Sequence, residues 1–125
     1  MKEIISTAKA PGAIGPYSQA NAFDRFVFTS GQLPIDPAVG AIHAETIEDQ
    51  TRQSLDNLKA ILEEAGSGLE NVVKTTCYLS DIANFKRFNA VYAEYFTANA
   101  PARSCFEVAC LPQNALVEIE AVAVR

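Results

Sequence analysis

Pro101-Ala102-Arg103-Ser104-Cys105 and Val117-Glu118-Ile119-Glu120 are the two stretches on which the reading of this chain turns. Both read as strands. Residues two apart in a strand point to the same face. Arg103 and Cys105 therefore share a face with Glu107, and Glu118 and Glu120 share one with Val122 and Val124. A guanidinium fork and a carboxylate suited to holding a water are thus set into apolar strands. A charge in such a run needs a partner or a task. Arg103 either closes a structural salt bridge with Glu107, Glu118 or Glu120, or is held for a ligand. Glu120 fits equally an ordinary solvent-facing position.

Working outward, the first forty residues are loop-rich, with Pro11, Pro16, Pro34 and Pro37 among Gly12, Gly15, Gly31 and Gly40. Short strands are expected near Glu3–Ser6 and Ser18–Phe23, and a stronger one at Arg25–Thr29, where Phe26, Val27 and Phe28 make both faces apolar. Thr46 then reads as the N-cap of a helix, with Asp49 three residues on. Ile47, Thr51, Leu55, Leu58, Ile61, Leu62 and Ala65 recur at helical spacing, and Gly66 supplies the stop. Asn71–Leu79 reads as a strand. Asp81 caps a second helix carrying Ile82, Phe85, Phe88, Val91, Tyr92, Tyr95 and Phe96. Strands near Ala102–Val108 and Leu116–Val124 close the chain. Two helices cover one face of such a sheet, yet several strands are apolar on both. A second copy of the chain is the simplest cover for the other face.

The 125 residues form one domain, 1–125, and 49% of them are hydrophobic, which suits a globular core. The net charge of −5, without a basic stripe, argues against nucleic acid as the main partner. Cys77, Cys105 and Cys110 are an odd set without disulfide spacing, which favours a reducing compartment. The N-terminus has no apolar targeting core and no run reaches membrane-spanning length, so a cytoplasmic location without membrane contact is expected. His43 is the one histidine, has no ligand cluster near it in sequence, and reads as a loop residue. No metal site is expected.

Several blocks together resemble the reactive-intermediate deaminase (Rid, or YjgF-type) family, and its RidA subfamily most. They are Ile14-Gly15-Pro16-Tyr17-Ser18-Gln19-Ala20, Thr29-Ser30-Gly31-Gln32-Leu33-Pro34, Arg52-Gln53-Ser54-Leu55-Asp56-Asn57-Leu58, Lys74-Thr75-Thr76, Pro101-Ala102-Arg103-Ser104-Cys105 and Val117-Glu118-Ile119-Glu120-Ala121. The resemblance implies an α+β fold similar to chorismate mutase, a mixed sheet with two helices on one face. It also implies a homotrimer with sites between subunits. The implied activity is hydrolytic deamination of reactive 2-imino acids and their enamines, such as 2-aminoacrylate, 2-iminopropanoate and 2-iminobutanoate, to 2-oxo acids and ammonia. No cofactor is implied.

By the same resemblance Arg103 holds the substrate carboxylate and Glu118 orients the attacking water. Tyr17, Ser30 and Gly31 line the pocket, Cys105 contributes its backbone, and Asn89, on the apolar stripe of the second helix, joins them. Glu120 matches no catalytic position and reads as a structural or interface charge. Two alternatives accompany this expectation: a non-catalytic protein that binds 2-oxo acids in regulation, and a ribonuclease or translation inhibitor, against which the acidic charge weighs.

Overall fold

The computed structural model describes all residues, 1–125. Six strands, β1 (Glu3–Ile5), β2 (Ala20–Phe23), β3 (Phe26–Thr29), β4 (Val72–Leu79), β5 (Ala102–Glu107) and β6 (Val117–Val124), form one sheet in the order β1-β2-β3-β6-β4-β5. Every neighbouring pair is antiparallel except β4 and β5. That parallel pair is connected through α2 (Phe85–Tyr95), as a parallel crossover requires. The longer helix α1 (Ile47–Glu64) lies between β3 and β4 in sequence. This is the mixed sheet with two helices on one face. No helix is long and apolar enough to cross a membrane.

α1 forms where its caps and apolar period agree. Thr46 Oγ1 accepts from the Asp49 amide at 3.1 Å, and Glu48 and Asp49 place negative charge in the first turn. Its end is a Schellman turn: Gly66 at φ 81°, with the Ser67 amide on the Leu62 carbonyl and the Gly66 amide on that of Glu63. Leu55, Leu58, Ile61 and Leu62 are fully buried against Val27, Val117, Ile119 and Ala123. Each such side chain contributes about 1.5–3 kcal/mol. The buried amides of α1 hold loops rather than core: Asn57 donates to the Leu33 and Ile35 carbonyls, and Gln50 joins the Ala44 carbonyl to the Leu116 amide.

Element boundaries differ from expectation by one or two residues. Before α2 the difference has content. Asp81 accepts from the Ala83 amide and so caps a 3-10 turn, Ile82–Asn84, that leads into α2. Ile82 is consequently exposed rather than on the buried stripe.

The alternation of β6 fixes the sheet's two sides. Val117, Ile119, Ala121 and Ala123 are buried under the helices, whereas Glu118, Glu120, Val122 and Val124 face the other way. That outer side also carries Phe26 and Phe28, flanking buried Val27, and Phe106; all three are about half exposed.

Candidate functional site

The register of β5 puts Arg103 beside Thr75 and Cys105 beside Cys77, the inward residues of β4. Arg103 therefore points to the helix side. Its Cζ lies 4.7 Å from the Tyr92 ring centre and 5.4 Å from that of Phe85, and its Nη1 donates to Asn89 Oδ1 at 2.7 Å. Tyr92 is fixed in turn by a 2.7 Å hydrogen bond between its hydroxyl and Thr75 Oγ1. No carboxylate pairs with Arg103. Glu107, which shares its face, instead accepts from the Ile82 amide. The salt-bridge alternative thus has no partner within the chain. A guanidinium over aromatic faces keeps its charge and most of its donors for an anion.

Asn89 is exposed rather than buried. It follows buried Phe88 on α2, and one residue of helix turns it to the flank of the stripe. Cys105 sits half-buried beside Arg103. Burial pushes its thiol up, partly offset by the guanidinium. Burial and the neighbouring Cys105 push the Cys77 thiol up to about 12. Neither sulfur is poised as a thiolate near neutral pH.

Glu118 lies on the opposite side of the sheet. Burial, and next the nearby Glu120, raise its carboxyl above the usual range. Glu120 is engaged separately: the Tyr78 hydroxyl donates to it at 2.8 Å, and Tyr78 packs edge-on against Phe106. Gly31 stands directly over Glu118. A Cβ at Gly31 would run into the carboxylate, with Glu118 Cδ only 2.7 Å away. Glycine here lets the carboxylate lie against the backbone, and any side chain would push Glu118 out of that place.

A bulge brings Gly31 there. Between the pairs Phe28↔Val122 and Gln32↔Ile119 one extra residue enters the β3 side, and the Ala121 amide turns to Thr29 Oγ1 at 3.0 Å. Ser30 is pinned within the bulge, its hydroxyl donating to the Ser18 carbonyl at 2.6 Å and its amide to that of Gln19. Tyr17, about half exposed, and Gly31 edge a cavity of about 460 Å³.

The predicted residues thus fall into two groups. Arg103, Cys105 and Asn89 gather on the helix side of β5. Glu118, Gly31, Ser30 and Tyr17 gather around the outer side of β6 and its bulge. One chain does not bring Arg103 and Glu118 onto the same face. The sequence reading missed Tyr78, which braces Glu120, and Gln19, which ties down the loop before Tyr17. A glutamine within the Ile14–Ala20 block, where the next residue begins a buried strand, was the available signal for Gln19.

A family model described as Endoribonuclease L-PSP matches residues 7–125. A RutC family protein of Pyrococcus horikoshii is 54% identical over 100% of this chain and 99% of its own length. The 2-iminobutanoate/2-iminopropanoate deaminase of Salmonella typhimurium is 50% identical, over 100% of this chain and 99% of that one. Among solved structures, E. coli TdcF with bound serine superposes with a TM-score of 0.94 at 46% identity, covering 98% of each chain.

Proposed function

The chain belongs to the L-PSP, or Rid, family, and from that premise we propose that it hydrolyses 2-imino acids and their enamines to 2-oxo acids and ammonia, as a homotrimer whose sites combine two subunits. The observation that carries this reading is the unpaired Arg103, held by Tyr92, Phe85 and Asn89 with no carboxylate of its own chain. Glu118, on the far face, completes a site only if another subunit brings its Arg103 to it. The exposed aromatic side of the sheet offers the surface for that assembly. The serine in the E. coli relative is itself a small amino carboxylate.

In this site Arg103 binds the carboxylate of the imino acid through paired charge-assisted hydrogen bonds, each contributing roughly 1.5–3 kcal/mol. Glu118 holds the water that adds to C2. Its raised pKa suits a group that takes a proton from that water and returns one to the departing nitrogen. Water is consumed, the C2–N bond breaks, and ammonia and a 2-oxo acid leave. Small 2-imino and 2-oxo acids are the ligands, and the cytoplasm, where pyridoxal-phosphate enzymes release imines, is the setting.

The test generates imines in situ with an amino-acid oxidase or threonine dehydratase and follows ammonia release with and without this protein, with RNA cleavage assayed on the same preparation. Acceleration of ammonia release is expected. Unaccelerated imine decay alongside RNA cleavage would overturn the assignment.

A further inference from the structure

Building on the imine-hydrolase reading, we propose that the buried hydroxyl pair of Thr75 and Tyr92 is a positioning device for Arg103. It ties the ring that lies against the guanidinium to the strand beside it, and so sets the angle at which the fork meets the substrate carboxylate. Thr75 is fully buried and Tyr92 is 6% exposed, so both act through Arg103 rather than on a ligand.

Arg103 has no carboxylate to fix its head. Neutral contacts do so, and all of them come from α2: the Tyr92 ring, the Phe85 ring and Asn89 Oδ1. The backbone of Arg103 belongs to β5. The direction of its fork therefore depends on how α2 sits against the sheet, and a bidentate contact tolerates little rotation of the guanidinium plane. Phe88 and Phe96 pack beside Tyr92, with ring centres 5.6 and 4.6 Å away, but both ride on α2 and its C-terminal cap. They fix the ring relative to the helix. Apolar packing holds the helix on the sheet without giving it a direction. The directed and buried link is the 2.7 Å hydrogen bond between the Tyr92 hydroxyl and Thr75 Oγ1. Thr75 is the register partner of Arg103 on the parallel strand β4. The phenol oxygen lies on the long axis of the ring. Bonding it holds the far end of a ring whose near end α2 already holds. A second tie lies at the entry to α2, where Glu107 Oε1 accepts from the Ile82 amide at 2.9 Å, but it is exposed to solvent. A hydrogen bond out of water is the stronger constraint, so the pair of Thr75 and Tyr92 sets the position.

The experiment measures kcat and KM for 2-iminobutanoate, generated in situ by threonine dehydratase and corrected for spontaneous decay, beside thermal melts of each variant. Thr75→Val keeps the branched shape and removes one hydroxyl, and Tyr92→Phe keeps the ring and removes the other. Each should lower kcat/KM about tenfold, the equivalent of one neutral hydrogen bond, while Thr75→Ser, which keeps the bond, stays within about twofold of the parent. The loss should fall mainly on KM, because the substrate carboxylate carries the same charge before the transition state and in it. Thr75→Val also leaves a buried phenol hydroxyl without a partner and should melt at a lower temperature. The double variant Thr75→Val/Tyr92→Phe leaves neither hydroxyl unpaired and should melt close to the parent, yet stay as slow as the single variants, because the directed tie is still missing. Activity that returns together with stability in the double variant would overturn the proposal, since the pair would then only satisfy buried polar groups. So would parental kcat/KM in Thr75→Val or Tyr92→Phe, or a loss confined to kcat. Those outcomes, with 2-iminobutanoate hydrolysed by the unaltered protein, overturn this inference alone, whereas no acceleration by the unaltered protein overturns the parent reading as well.

Discussion

The two sides of this sheet treat their charged residues in opposite ways. On the helix side, β5 and α2 hold Arg103 between two rings and an amide, in a place finished by the chain's own folding. On the outer side, β6 holds Glu118 against Gly31 and near Glu120, so its carboxyl is crowded and its ionisation disfavoured. The first is a fixed cation ready for an anion, and the second a carboxyl whose protonated form burial and Glu120 favour. A hydrolase acting on a charged substrate uses both kinds, one to bind and one to move protons. Under the proposed reading a single chain supplies half of a site, since its cation and its carboxyl look in different directions.

The sharpest way to break this contrast is to remove the cation. Arg103→Ala should lower kcat/KM for imine hydrolysis by about 10²–10⁴-fold, the equivalent of two charge-assisted hydrogen bonds. Circular dichroism should show the fold retained, because Arg103 is partly exposed and supports no ion pair. Arg103→Lys should also be impaired, for want of the planar fork. Near-normal turnover in the folded alanine variant would mean the substrate carboxylate is held elsewhere.

Removing the titrating side comes next. Glu118→Gln should lower kcat by about 10²–10⁴-fold with a smaller change in KM. The stability effect has the opposite sign. The folded chain raises this carboxyl's pKa above the unfolded value, so the residue's contribution is full below the unfolded pKa and is lost as pH rises through the folded one. The glutamine variant escapes that loss. Thermal melts should show it more stable than the parent at neutral pH, with the gap closing in acid. Activity of the parent should rise with pH through the raised pKa of Glu118, as the base form appears.

Mixing the two dead variants tests the geometry itself. If the halves of a site come from different chains, Arg103→Ala and Glu118→Gln subunits, dissociated and reassembled together, restore roughly a quarter of the sites. No recovery in confirmed mixed oligomers would place both groups in one chain's site.

Two smaller effects refine the comparison. Cys105→Ser should retain most activity, because burial raises this thiol's pKa and the proposed role of Arg103 needs no sulfur. A covalent Cys105 adduct in mass spectra, with activity lost, would reassign that role. Between the halves, the β5–β6 connection holds Gln113 at φ 58° and Asn114 at φ 56°. Glycine relieves a left-handed residue at some entropic cost, so Gln113→Gly should raise stability by up to about 1 kcal/mol in denaturant melts.

Much of this molecule was legible from residue order. The period of Leu55, Leu58, Ile61 and Leu62 with Thr46 before it and Gly66 after it defines α1 by local chemistry alone. Alternation places Glu118 and Glu120 on one face of β6, and Arg103 with Cys105 on one face of β5. Local periodicity does not say which face of one strand matches which face of another. That phase depends on register, and only the tertiary structure set Arg103 beside Thr75 under α2 while Glu118 turned outward with Tyr78. The bulge that lays Gly31 on Glu118 and the flank position of Asn89 were decided in the same way, by where distant strands and a helix meet. Sequence by itself determined the elements, their caps and the residue types of the site, because those follow from neighbours a few residues apart. The tertiary structure decided which of those residues share a side, because contacts between segments far apart in the chain depend on how the whole sheet is paired and covered.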